Sequence, residues 1–150
     1  MDIAEIALVA NVLATAVMVG IIWFVQRVHY PLLALVGTDQ AAGVAVEHQR
    51  RTGQVVALPM AVEGVSTLVL LVERPDAVSV VWPWAGAVFL AVALGCTVLL
   101  SVPRHARMAT DPDDEVGRSL VRTNWPRTVA WTLRGVVGAV MMIQVLEGMS

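Results

Sequence analysis

Four long apolar runs organise this chain, Ile3–Val28, Gln54–Val72, Trp82–Val102 and Thr128–Leu146, and its polar residues collect between them. Within each run the apolar residues are continuous rather than alternating, the pattern of a helix and not of a half-buried strand. Crossing a hydrocarbon core takes about 20 helical residues. Only helices or closed barrels satisfy every backbone polar group there. The pattern predicts an all-α fold, an integral membrane four-helix bundle forming one domain. Trp82 and Trp84 open the third span, and Trp23 and Trp125 lie near other span ends, where aromatic belts form. Thr38 and Asp39 are placed to cap a helix running through His48 into the second span, although Gly43 and Gly53 weaken it. In the second long connection, Asp111-Pro112-Asp113-Asp114-Glu115 reads either as a metal-binding acidic run or as a helix start. In the second case Asp111 is the N-cap, Pro112 the first helical residue, and the acids sit on the positive end of the dipole. The short helix that follows, with Val116, Leu120 and Val121 as its apolar positions, is expected at the membrane surface.

Composition agrees with lipid as the solvent. The chain is 57% apolar and 15% charged, with a mean hydropathy of +0.73, against roughly 45–50% and about 25% in soluble domains. The first run begins with Asp2 and Glu5, whereas a signal peptide wants a positive start. It is expected to be a retained helix. Every basic residue is arginine. The connections after the first and third spans carry eight (Arg27, Arg50, Arg51, Arg104, Arg107, Arg118, Arg122, Arg127), and the opposite side carries only Arg74. That asymmetry predicts a multi-pass protein of the plasma (inner) membrane with both termini outside. No basic stripe interleaved with aromatics is present, which argues against nucleic-acid binding. Cys96 stands alone in an apolar run and reads as a small buried residue.

Candidate chemistry lies at membrane depth. Glu63 sits roughly 13 Å into the second span and Arg134 roughly 9 Å into the fourth, which starts from the same side. The difference of about 4 Å is shorter than an arginine side chain, so a Glu63–Arg134 pair is expected inside the bundle. Such a pair serves catalysis or fixes helix register. His29, His48 and His105 all fall at the cytoplasmic end. They could ligate zinc, copper, iron or a haem, most simply with His29 and His105 as axial ligands, or act as interfacial hydrogen-bonding groups. No two share i,i+3 or i,i+4 spacing, so tertiary packing must assemble any site. His48 and Glu63 lie about 22 Å apart along one helix, too far for a common metal unless Gly53 or Pro59 folds it. Arg127, Trp131 and Arg134 share a face of the fourth helix. Asn124 can cap that helix, Gln26 and His29 share a face of the first, and Asn11 can hydrogen-bond across the bundle.

Nucleotide loops, G-x-S-x-G, H-E-x-x-H and C-x-x-C are absent from the sequence. The segments around Gln26-Arg27-Val28-His29-Tyr30-Pro31, His48 to Glu63, Pro103-Arg104-His105 and Thr123-Asn124-Trp125-Pro126-Arg127-Thr128 resemble a family of small, uncharacterised bacterial membrane proteins. More distantly, the layout is similar to the anthrone-oxygenase-like four-helix membrane family. That resemblance implies oxidation of a hydrophobic, often polycyclic, molecule in the cytoplasmic half of the bundle. The expected reading is a membrane-embedded oxidoreductase or oxygenase-like enzyme. Glu63, Arg134, His29 and Asn124 would be catalytic, Gln26, Trp131 and Arg127 would bind the substrate or a cofactor, and His29, His48 and His105 would hold a metal. The alternative is a non-enzymatic accessory, assembly or lipid-binding subunit, followed by a transporter, which would have to oligomerise.

Overall fold

The computed structural model describes residues 1–111 and 114–149, without the side chains of Thr38, Asp114 and Val116. The described residues form helices α1 (Ile3–Leu33), α2 (Thr38–Val72), α3 (Val81–Thr110), α4 (Asp114–Thr123) and α5 (Trp125–Gly148), with no strand among them. Four helical rods are long and apolar enough to cross a membrane, the fourth running from Arg118 through α5. The Asp2 side chain accepts from the Glu5 amide while Glu5 reaches back to the Asp2 amide, a capping box that starts α1.

Each rod outruns the apolar stretch that announces it. α2 begins at Thr38 and continues unbroken past Gly43, Gly53 and Pro59. Its N-cap residue is Gly37, with no side-chain cap, so neither Thr38 nor Asp39 holds the expected position. α5 starts at Trp125, and the Asn124 side chain does not cap it either. Asp111 is the C-cap of α3, and Pro112, expected as the first residue of the next helix, lies outside the described residues; α4 is described from Asp114.

Two rods contain a wide π-helical turn, Val25–His29 in α1 and Thr97–Ser101 in α3. In each, the amide just before a proline bonds five residues back: Tyr30 to the Val25 carbonyl before Pro31, and Val102 to the Thr97 carbonyl before Pro103. A proline inside an α-helix clashes with the carbonyl four residues earlier and lacks the N–H that carbonyl expects. Widening the preceding turn relieves the clash and inserts one extra residue. Everything downstream then rotates by about 100° around the axis. This register change faces Tyr30 and His105 inward.

α1 packs on α2 and α5, and α5 packs on α3, while α2 and the Val81–Cys96 stretch of α3 meet along the thinnest seam. Met18, Ile22, Ala93, Ala130 and Trp131 fill the middle. Where α1 and α5 touch, a Cβ on Gly135 or Gly138 would lie 3.3 Å from Val19 or Val12. Small residues here let the backbones approach. At the loop-rich end Tyr30, Leu33, Ala41, Met108 and Leu120 form a separate cluster with Val121 against it. The described apolar positions of α4 therefore face the bundle. The outer surface is apolar, with Leu58 and Leu99 each 72% exposed, as contact with lipid allows.

Candidate functional site

Two polar assemblies occupy the interior, joined by one tryptophan. The deeper one is centred on Glu63, which has no exposed surface. Its carboxylate accepts from the Thr15 hydroxyl at 2.7 Å, the Trp131 indole N–H at 3.1 Å and Arg134 Nε at 2.7 Å. The remaining guanidinium nitrogens of Arg134 donate to the Gly86 carbonyl, to Thr67 Oγ1 and to Asn11 Oδ1. Asn11 in turn donates to Ser66 at 2.8 Å and Thr67 at 3.1 Å. Donors and acceptors from all four rods thus converge on one ion pair. Glu63 and Arg134 come together as their depths required, yet neither lines any of the four main cavities and grooves. A carboxylate with three donors and no adjoining space has little freedom to exchange a proton with a ligand.

The second assembly surrounds a cavity of about 260 Å³ near the loop-rich end. Its floor is apolar, built by Met18, Ile22, Val25, Val56 and Met60. Tyr30, His48, Thr52, Ser101, His105 and Arg127 supply the polar wall. The Tyr30 hydroxyl lies 2.9 Å from His105 Nε2, and the imidazoles of His48 and His105 pack with ring centres 4.8 Å apart. His29 stands behind His48, their rings stacked at 4.5 Å, with His29 Nε2 2.6 Å from His48 Nδ1. All three histidines are therefore brought together. Among the described residues two buried side-chain polar atoms have no hydrogen-bond partner, His105 Nδ1 and Arg127 Nε, and both residues line this cavity.

Arg127 is held from three sides. It donates to Ser101 Oγ and to Asn124 Oδ1, each at 3.0 Å. Its guanidinium also lies 5.5 Å from the centre of the Trp131 ring, within range of a cation–π attraction. Asn124 is anchored to Gln26 Oε1 at 2.9 Å, and Gln26 donates to the Val121 carbonyl at 3.1 Å. Asn124 and Gln26 are thus positioning residues that aim Arg127, and no carboxylate among the described residues pairs with this cation. Trp131 links the assemblies, its indole N–H on Glu63 and its ring beneath Arg127.

The histidines do not fit a metal centre. The nitrogens of His29 and His48 point at each other at hydrogen-bonding distance, whereas ligands on one ion must both aim at a shared point about 2.0–2.1 Å from each. Among the described residues no group of three or more His, Cys, Asp or Glu side chains is arranged to hold a metal ion. A haem between His29 and His105 is blocked, because the His48 ring lies in contact with both. Among the described residues, then, copper, iron, zinc and haem find no set of three or more such ligands.

Tyr30, Ser101 and Gln49 escape a reading of periodicity, as do Thr15 and Thr67. The usable signal was Tyr30-Pro31 and Ser101-Val102-Pro103: a proline one or two residues after a polar side chain, at the end of an apolar run. The threonines carry no signal of their own, because hydroxyls inside apolar helices commonly bond back to their own backbone. Compared with known protein families, with curated proteins and with solved structures, the chain matches none.

Proposed function

We propose that the four rods span a bilayer with the loop-rich end cytoplasmic and both termini outside, and that the 260 Å³ cavity is the reaction site of a membrane-embedded enzyme for a hydrophobic small molecule. The arginine asymmetry supports the orientation. The observation that carries the site is the pair of unpartnered buried atoms, His105 Nδ1 and Arg127 Nε, on two residues of its polar wall. Arg127 Nε is a hydrogen-bond donor on a fixed cation and asks for an oxyanion or carbonyl oxygen. With Nε2–H donated to the Tyr30 hydroxyl, His105 keeps a lone pair on Nδ1 and serves as general base. Together they favour removing a proton from a C–H or O–H group conjugated to a carbonyl while Arg127 holds the resulting enolate.

The resemblance to the anthrone-oxygenase-like family adds the reaction class, oxidation by dioxygen. On an anthrone the activated methylene would lose two hydrogens and gain one oxygen atom as a carbonyl, the second oxygen atom leaving as water. The test is incubation of the purified protein in lipid nanodiscs with anthrone under air, following the quinone by mass spectrometry. Faster formation than in empty nanodiscs is expected, lost in His105→Ala and in Arg127→Gln while both stay folded. Formation at the empty-nanodisc rate would overturn the oxidative reading. A second reading, a non-enzymatic accessory or lipid-binding subunit, is favoured by the saturated Glu63–Arg134 network, which orders all four rods without serving a cavity. It predicts that neither His105→Ala nor Arg127→Gln changes any turnover.

A further inference from the structure

We infer that the cavity opens sideways, between α2 and α3, so that its ligand is a membrane-dissolved molecule with a phenol- or quinol-type ring inside and an apolar tail left in the bilayer. The inference rests on the cavity reading above and extends it to the ligand's shape and route.

The wall is closed on most sides. Met18, Ile22 and Val25 of α1 are buried, and so are Tyr30, His48, Ser101 and His105 at the loop-rich end. A hydrogen bond from Gln49 to the His105 carbonyl ties α2 to α3 at that end. The exposed lining residues are Gln49 and Gly53 of α2 and Val102 of α3; Val56, Met60 and Thr97 are half-exposed, as are Ile21, Thr52 and Arg127. Gln49, Gly53 and Val102 flank the α2–α3 interface at the level of the π-helical turn in α3. A Cβ built on Gly53 meets nothing within 4 Å, so the threshold is open space. Exposed aliphatic residues on both helices, Leu58 of α2 and Val98 and Leu99 of α3, lie close in sequence to lining residues.

Volume fixes the rest. A site that encloses a drug-sized molecule measures roughly 300–1,000 Å³. This cavity is slightly smaller, and one of its sides gives onto the lipid-facing surface. The ring therefore fits within and the remainder of a longer molecule leaves through the seam. A molecule dissolved in the bilayer can take this path without crossing water. Arg127 and His105 line the same cavity, and there they meet the ring oxygen.

The test uses the full chain in phosphatidylcholine nanodiscs and a 4-alkylphenol whose tail carries a photoactivatable diazirine. Labelled peptides are mapped by mass spectrometry, with 4-decylphenol as competitor. Labelling is expected on α2 and α3 around Gly53–Met60 and Thr97–Val102, competed by 4-decylphenol and reduced at least tenfold by Gly53→Trp. Gly53→Leu narrows the mouth less and gives a smaller loss if the tryptophan variant does not fold. Gly20→Trp, in the neighbouring groove between α1 and α2 that shares Ile21, Val25, Thr52 and Val56 with the cavity, keeps labelling within twofold. Loss of labelling there would mean entry from that side and overturn the α2–α3 mouth. If Gly53→Trp and Gly53→Leu label like the wild type while Arg127→Gln does not, the lateral mouth is wrong and the cavity reading stands. If Arg127→Gln and His105→Ala label normally, the ring does not sit in the cavity and both readings fall.

Discussion

Removing one member of the Glu63–Arg134 pair should cost far more than removing both. Glu63→Gln leaves the Arg134 guanidinium charged and buried, and sets an amide N–H against a donor that bonds a carboxylate oxygen in the wild type. Arg134→Met leaves the Glu63 carboxylate without its cation, still contacted by Thr15 and Trp131. Breaking a buried pair from one side costs about 3–5 kcal/mol, a large share of the roughly 5–15 kcal/mol that holds a domain together. In Glu63→Leu/Arg134→Met no charge remains. The Thr15 hydroxyl can turn back to a carbonyl of its own helix, and Thr67 and Asn11 keep each other as partners while Thr67 also bonds the Glu63 carbonyl, so the remaining orphan is the Trp131 indole N–H. One unsatisfied buried donor costs about 1–3 kcal/mol. The double variant should therefore lose less than either single one, a coupling of at least about 3 kcal/mol in the cycle. Equilibrium unfolding in mixed detergent micelles, followed by tryptophan fluorescence, measures all four corners. Additive losses, with the double variant worse than each single one, would refute the claim that the charges compensate one another.

Other expectations concern the cavity, the helix contacts and the orientation. Tyr30→Phe removes the hydroxyl on His105 Nε2, and turnover of anthrone should fall at least tenfold while the unfolding midpoint moves little, a separation that activity and unfolding assays on one preparation resolve. Gly86→Ala places a methyl 3.3 Å from Arg134 Nη1, so overpacking of about 1–3 kcal/mol outweighs a helix-propensity gain of about 1 kcal/mol. Gly95→Ala, with nothing within 4 Å of the added carbon, should instead stabilise by about 0.5–1 kcal/mol; unfolding of the two variants side by side checks the contrast. Single cysteines placed at Met1 and at Arg118, in a chain with Cys96 replaced, should react with an impermeant maleimide from outside intact cells at residue 1 and not at residue 118.

The parts of this molecule that hydrocarbon physics dictates were legible from residue order alone. A charge within an apolar run must find a countercharge, and only Arg134 was deep enough to meet Glu63, so their contact followed from rise per residue. Helix ends were less legible. Hydropathy marks the lipid-length part of a rod, and the polar continuations of α2 and α3 are fixed by packing against Tyr30, Met108 and Leu120 at the loop-rich end. The cavity was half legible: His48, His105 and Arg127 were named as candidates, while Tyr30 was hidden. A helical wheel drawn through residue 25 or residue 97 loses phase at the π-helical turns, and faces beyond them are assigned about 100° wrong. Asn124 was misread for a different reason. Its position beside the α5 start favours a cap, but Gln26 and Arg127 offer its amide better partners.

The most direct test of the account is carried by methionine. Met18 and Met60 line the cavity, whereas Met141 belongs to the core at the other end, with Met142 packed against it. In nanodiscs with ¹³C-methyl methionine, adding 4-decylphenol should shift the Met18 and Met60 methyl signals and leave Met141 and Met142 in place. Shifts confined to Met141 and Met142, or no shift at all up to saturation of the bilayer, would contradict the assignment of the ligand to the chamber between His105 and Arg127.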